Sequence, residues 1–324
     1  MRGAKTFDRL LFDHETTNYS DGGVGDSDVE AGFAHPVSVT IQAWVQKGRE
    51  GQRGSADDTT GGYTLKRITG FLYGLIAYGI FFLTFLYLVG FLADWIVPKG
   101  IDDGGSVSTA VALLVDIGLI ALFGLQHSVM ARPGFKKILE RIIPRSVERS
   151  TFVLIASCVL ILLYWQWRPA TQVIWHAEDA GLAVALWSVY AVGFAIVLLS
   201  TFVIDHFDLF GLRQVTLNLL NRRYTNPPFK VTFFYRFIRH PLYLGFLLAF
   251  WATPTMTLGH LLFAAGMTSY ILIAVRYEER DLELLLGEDY RNYRARVPML
   301  LPRPGRVHET VSARTDITGS PHTG

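Results

Sequence analysis

Apolar residues in this chain come in long blocks separated by charged loops. The first block runs from Ile68 to Val97, the second from Val107 to Met130, the third from Thr151 to Trp167 and the fourth from Gly181 to Ile204. A helix needs roughly 20 apolar residues to cross a bilayer core, and these blocks are read as four membrane spans. The third is short, but Tyr164, Trp165 and Trp167 stand at its far end, where amphipathic rings suit the headgroup region. A last apolar region, Leu242 to Val275, is interrupted by ATPTMTLGH. It predicts two helices of about one and a half dozen residues joined by a tight turn, a hairpin that falls short of a full double span. The fold class is therefore all-α: a polytopic integral-membrane helical bundle ending in a helix hairpin.

The flanks differ in composition. Residues 1–62 are Gly- and Asp-rich, with DGGVGDSDVE and GREGQRGSADDTTGG too poor in apolar residues to bury a core, and predict a disordered cytoplasmic tail. One segment, HPVSVTIQAWV at 35–45, has the alternation of a short strand but is isolated between breakers. The first apolar block lies too far from residue 1 to be a secretory signal. Residues 63–303 form the transmembrane domain, and 304–324 a second disordered tail.

Half of the 324 residues are hydrophobic and 18% are charged, and the net charge of +2 gives no argument for a nucleic-acid partner. The basic residues instead set orientation. Lys66 and Arg67 precede the first span, Arg132, Lys136, Lys137, Arg141, Arg145 and Arg149 link the second to the third, and Arg213, Arg222, Arg223, Lys230, Arg236 and Arg239 precede the hairpin. By the positive-inside rule both termini face the cytoplasm, and the loops at 98–106 and 168–180 lie outside. The single cysteine, Cys158, excludes an intramolecular disulfide and reads as a small buried hydrophobe.

Candidate chemistry concentrates at the hairpin's mouths. Arg239, His240, Pro241 and Tyr243 open its first helix, and Arg276, Glu278 and Glu279 lie near the end of its second. An antiparallel return makes these groups neighbours, and ionisable groups inside a membrane default to a functional reading. Pro241 suits a first helical turn, and the free N–H groups from Leu242 through Leu244 to Gly245 can receive an anionic group. Gly245 removes a side chain where a ligand approaches the helix. The bland alternative is that the arginines anchor lipid phosphates while Glu278 and Glu279 pair with Arg280.

The strings RHPLYLG, YEERDL and GEDYRNYRARVPMLLP, in that order across residues 239–302, resemble the C-terminal signature of the isoprenylcysteine carboxyl methyltransferase family of integral-membrane methyltransferases. The match falls on Arg239, His240, Pro241, Tyr243, Gly245, Glu278, Glu279, Gly287, Tyr290, Tyr293, Arg294, Val297 and Pro298. It implies S-adenosyl-L-methionine bound between hairpin and tail, with Arg239, His240, Pro241, Tyr243, Leu244, Gly245, Glu278, Glu279, Tyr290, Tyr293 and Arg294 as cofactor-binding residues. In particular, Arg239 and His240 would meet the cofactor carboxylate, Tyr243 would pack on the adenosine, and a glutamate would accept from ribose or ammonium. Upstream, GLQHSVMARPGFK, ERSTFVL, WQWRP and STFVIDHFDLFGLRQ are similar to the nurim-related branch, and most of all to its bacterial methanethiol S-methyltransferases. That resemblance covers roughly residues 65–303 and implies a small thiol acceptor, methanethiol, converted to dimethyl sulfide at a site facing membrane lipid. Other readings are a prenylcysteine carboxylate or another lipid-soluble acceptor, an NADPH-dependent sterol reductase of similar C-terminal arrangement, and a non-catalytic nurim-like protein. Oligomeric state is not legible.

A second constellation is Gln126 and His127 near the end of the second span, with Asp205, His206 and Asp208 just past the fourth. All fall on the cytoplasmic side, where they are expected to border the same cavity. Only a thiolate attacks a sulfonium methyl well, so His127, or His206 with Asp205, is the candidate base. The structural alternatives are a helix-end His127 hydrogen-bonded to a backbone carbonyl, and capping of a helix terminus by Asp205 and His206. The histidines lack H-x-x-x-H or E-x-x-H spacing, and no metal site is expected.

Overall fold

The computed structural model describes residues 60–105, 107–225 and 233–301. The expected tails and the 35–45 segment lie outside the described residues, save for residues 60–62. In chain order the elements are α1 (Thr60–Ala93), α2 (Thr109–Ala131), α3 (Pro133–Leu139), α4 (Arg145–Gln166), β1 (Val173–His176), α5 (Ala180–Ile204), α6 (His206–Leu209) and α7 (Leu212–Leu219). A 3-10 turn at Phe233–Arg236 then leads to α8 (Pro241–Trp251), β2 (Thr255–Thr257), α9 (Leu258–Leu286) and α10 (Glu288–Arg296).

Five of these helices are long and apolar enough to cross a membrane: α1, α2, α4, α5 and α9. The four blocks read from the sequence are thus spans, with boundaries fixed by local chemistry. Arg132 leaves the helical region, with φ −77° and ψ 148°, because proline follows it, and this separates α2 from the short α3. Asp179 caps α5 by accepting from the Leu182 N–H at 2.7 Å.

The hairpin differs from its expectation. Its first helix has 11 residues and its second 29, rather than two equal arms. The interrupting segment is not a tight turn: Thr255–Thr257 runs extended and pairs antiparallel with Val173–His176, placing Trp175 opposite Met256 and His176 opposite Thr255. Pro254 and the β-branched threonines favour extended backbone over helix, so the chain crosses the outer part of the domain as a strand. The only described sheet in this otherwise helical fold therefore straps the α4–α5 connection to the α8–α9 connection.

α8 packs most extensively on α5 rather than on its hairpin partner α9. Glycines meet there: a Cβ on Gly245 would lie 2.7 Å from the Gly193 carbonyl oxygen, and one on Gly193 would lie 2.7 Å from the Gly245 oxygen and the Ala249 nitrogen. Small residues let helix backbones close on each other where lipid gives no hydrophobic drive. Gly245→Val is expected to destabilise the protein by about 1–3 kcal/mol, the cost of overpacking a tight contact, read as a lower unfolding midpoint of the purified protein. An unchanged midpoint would mean that α8 and α5 are not held this closely.

Elsewhere α4 lies against α1 and α2, α9 against α2, and α7 against α1. The outer half of the core is aromatic: Phe91, Trp167, Phe250 and Phe263 are all buried, with Phe91 edge-on to Trp167 at 6.0 Å and Phe250 edge-on to Phe263 at 5.3 Å. Cys158 is not buried, as its apolar neighbours suggested, but exposed on the outward face of α4.

Candidate active site at the α8–α9–α10 junction

The start of α8 is clamped by the chain that follows α10. Arg239 N–H donates to the Pro298 carbonyl at 2.9 Å and His240 N–H to the Met299 carbonyl at 3.1 Å, so the RHP and VPM segments run alongside one another. Tyr293 reinforces the clamp by donating to the Tyr235 carbonyl at 2.9 Å.

Glu279 is the hub. Arg239 donates to its Oε1 from Nε at 2.8 Å and from Nη2 at 2.7 Å, while His240 Nε2 stands 3.1 Å from the same oxygen. Arg294, from α10, approaches the other oxygen at 3.6 Å. The remaining Arg239 nitrogen donates to the carbonyls of Arg294 and Val297. This bidentate pair is buried on both sides, which a lipid-phosphate anchor would not be. The alternative pairing of the glutamates with Arg280 is therefore not what the structure contains. With most of its fork committed to Glu279 and two carbonyls, Arg239 fixes α10 against α8.

Glu278 has the opposite character. One of its oxygens accepts from Tyr243 at 3.1 Å and lies 4.0 Å from His240 Nδ1; the other, Oε1, is buried with no hydrogen-bond partner. His240 Nδ1 and the Tyr290 hydroxyl are likewise buried and unpartnered. Buried polar atoms are nearly always satisfied, and these three open ones, with Tyr290 within electrostatic reach of Glu278, are candidates to meet the polar atoms of a ligand. Burial, the largest influence, pushes the Tyr290 and Tyr293 phenols up, so both stand as neutral donors. Pro241 occupies the first turn of α8 as expected, and Leu244 N–H already bonds the His240 carbonyl at 3.1 Å. The missing side chain of Gly245 has a packing reason on α5.

His127 reaches this junction through α9. Its ring lies edge-on to Tyr270 at 6.2 Å and to Phe152 at 4.9 Å, with Phe123 tilted at 5.4 Å, and its Nδ1 is buried without a partner. Tyr270 stands within electrostatic reach of Glu278, eight residues on along one face of α9. The sequence reading missed Tyr270, although that eight-residue spacing is a helical-face signal.

His206 and Asp205 are placed otherwise. Both ring nitrogens of His206 are engaged, Nδ1 with Thr201 and Nε2 with Tyr78, each at 2.8 Å, and the ring stacks on Phe202 at 4.3 Å. Burial lowers this imidazole below its ordinary range, opposed by the Asp205 carboxylate. Asp205, at φ 129°, caps α6 by accepting from Asp208 N–H at 3.1 Å and faces Arg213 at 3.8 Å. These contacts run to α1, α5, α6 and α7. The capping alternative describes them, and the structure does not bring them to the Glu278 cluster.

Comparison with known proteins agrees with this architecture. The NnrU protein family matches residues 116–296, which contain α8, α9 and α10. Methanethiol S-methyltransferase 1 of Bradyrhizobium diazoefficiens is 52% identical over 245 residues, covering 76% of this chain and 86% of its own length. Methanethiol S-methyltransferase of Mycobacterium tuberculosis is 50% identical over 242 residues, covering 75% of this chain and 99% of its own. Nurim of Xenopus laevis is 29% identical over 184 residues, 54% of this chain and 64% of its own. No solved structure matches the chain significantly. Sharing half their residues across most of both lengths, this chain and those bacterial enzymes are of one kind: it belongs to the NnrU family, on the methanethiol S-methyltransferase branch.

Proposed function

We propose that this protein transfers a methyl group from S-adenosyl-L-methionine to methanethiol, releasing dimethyl sulfide. The observation that carries the cofactor assignment is the open oxygen of Glu278, buried next to the open nitrogen of His240 and the open hydroxyl of Tyr290. A ligand bearing an ammonium and hydroxyl groups offers what those atoms lack, so the residues present fit the cofactor. When bound, it supplies an electrophilic methyl on a sulfonium.

The chain's own residues then do three things. Glu278 accepts hydrogen bonds from the cofactor and orients Tyr243, whose ring lines the start of α8 together with Pro241 and Leu244. Glu279, Arg239, His240 and Arg294 hold α8, α9 and α10 in one geometry, with Tyr290 and Tyr293 packing α10 down. His127 faces the acceptor across Tyr270 and takes the thiol proton at Nδ1. Sulfonium and thiolate neutralise each other on transfer, so alignment and exclusion of water are the main requirements, and a site walled by membrane helices meets both.

In the same reading both termini are cytoplasmic, the protein sits in the bacterial plasma membrane, and residues 63–303 carry the activity without either tail. Headspace chromatography of the purified protein given methanethiol, against a parallel assay with a prenylcysteine analogue, tests the acceptor. Dimethyl sulfide from the first and no methyl ester from the second is expected; the reverse would assign the site to carboxylates.

The two histidines separate cleanly. His127→Ala is expected to lower turnover at neutral pH and to recover as pH rises and free thiolate becomes available, with cofactor affinity unchanged. His206→Ala is expected to cost stability through its two lost hydrogen bonds, about 1 kcal/mol each, with no change in the shape of the pH profile. A pH-dependent rescue confined to His206→Ala would exchange their roles.

A further inference from the structure

Several arginines on this side of the fold end in a carboxylate. Arg132 faces Asp281 at 3.5 Å, Arg213 faces Asp208 at 3.5 Å, and Arg239 and Arg294 share Glu279. Arg149, on the second turn of α4, is half-buried and makes no ion pair among the described residues. Its guanidinium carbon stands 6.0 Å from the centre of the Phe152 ring, the same ring that His127 meets edge-on at 4.9 Å.

Four titratable groups lie within electrostatic reach of Arg149: His127 on α2, Lys136 on α3, Asp208 on α6 and Tyr224 beyond α7. Asp208 is the one carboxylate among them, and it makes no ion pair with Arg149. The Asp208 carboxylate accepts from Tyr224 at 2.8 and 3.0 Å and also faces Arg213 and Gln214. Glu148, its sequence neighbour, is held by Lys136 at 3.6 Å. The surplus positive potential registers on Lys136, whose ammonium is brought down to about 8 by burial and then by the Arg149 charge. A guanidinium without an ion pair, an imidazole with an open nitrogen and the rings of Phe123, Phe152 and Tyr270 together suit a small, polarisable anion.

We propose that Arg149 is an acceptor-binding residue that holds methanethiol as its thiolate beside His127. The assignment rests on the methyl-transfer reading given above. The S–H proton passes to His127 Nδ1, the sulfur lone pair forms the new S–C bond, and the sulfonium S–C bond breaks with its electrons returning to the donor sulfur. A cation beside a thiol favours the thiolate, as at reactive cysteines, and does so most where water is scarce.

The test uses the full-length purified protein and two variants, Arg149→Met, which keeps the stem against Phe152, and Arg149→Lys, which keeps the charge. Arg149→Met is expected to lower kcat/KM for methanethiol about tenfold at pH 7 and to move the rising limb of the pH profile about one unit to the alkaline side, the same factor expressed twice. Its affinity for S-adenosylhomocysteine by calorimetry is expected to stay at the wild-type value, and Arg149→Lys to restore most of the activity. An unchanged profile in Arg149→Met overturns the proposal. So does a loss equal at every pH accompanied by weaker S-adenosylhomocysteine binding, which would make Arg149 an anchor for the cofactor. A wild-type protein that binds S-adenosylhomocysteine yet makes no dimethyl sulfide overturns the acceptor reading itself, whatever the variants do.

Discussion

Glu279→Ala is expected to release α10 and lower the stability of the protein by about 3–5 kcal/mol, the penalty for removing one partner of a buried ion pair. Arg239 would be left with its guanidinium buried and its two bonds to Oε1, at 2.8 and 2.7 Å, gone. His240 Nε2 loses its acceptor at 3.1 Å and Arg294 its contact at 3.6 Å, so α8 and α10 are unlinked together. A large drop in the unfolding midpoint, with proteolysis beginning at the C-terminal helix, is the expected result. A midpoint close to wild type would mean that the backbone clamp from Arg239 and His240 to Pro298 and Met299 holds α10 without the ion pair.

Its neighbour behaves differently. Glu278→Gln keeps the shape of the side chain and an oxygen for the Tyr243 hydroxyl, and it breaks no ion pair closer than the 4.0 Å approach of His240 Nδ1. The unfolding midpoint is therefore expected to change little. What is lost is the acceptor at the open Oε1, where the amide can place a donor against the cofactor's ammonium. Hydrogen bonds to a charged group are worth about 1.5–3 kcal/mol, so affinity for S-adenosylhomocysteine is expected to fall on the order of 10- to 100-fold by calorimetry. Wild-type affinity in a folded Glu278→Gln protein would place the cofactor elsewhere. In the proposed reading adjacent glutamates divide the work, one structural and one ligand-facing.

That division was not legible in the sequence, where Glu278 and Glu279 stand as an undifferentiated pair. One residue along a helix is a 100° rotation, and which of the two faces Arg239 depends on the pose of α8 against α9, which no local pattern encodes. The spans were legible because a bilayer demands long apolar helices and leaves few alternatives. The hairpin was legible as a return and not as a shape. Its apolar content is uniform across Leu242–Trp251 and Met256–Val275, and only the strand partner Val173–His176, some 80 residues away, decides that Thr255–Thr257 runs extended. Gly245 appeared as a space for a ligand, because its partner Gly193 lies on a different helix.

The second constellation shows a similar limit. His127 and His206 are both histidines near the end of a membrane-spanning helix, yet one has a buried open nitrogen and the other has both nitrogens bonded. Arg149 was read with its basic neighbours as a topology signal, which is the usual role of such a residue. Its lack of a carboxylate is visible only once Glu148 is seen to turn to Lys136 and Asp208 to Tyr224.

The central claim is that the junction of α8, α9 and α10 presents a sulfonium methyl to a small thiol. Its most direct test supplies S-adenosylmethionine carrying a trideuterated methyl group, with methanethiol, to purified wild-type protein and to Glu278→Gln in parallel, and reads the headspace by mass spectrometry. Dimethyl sulfide bearing one trideuterated methyl from the wild type, strongly reduced in the variant, is the predicted result. Unlabelled product, no product, or equal labelled product from both proteins would contradict the account.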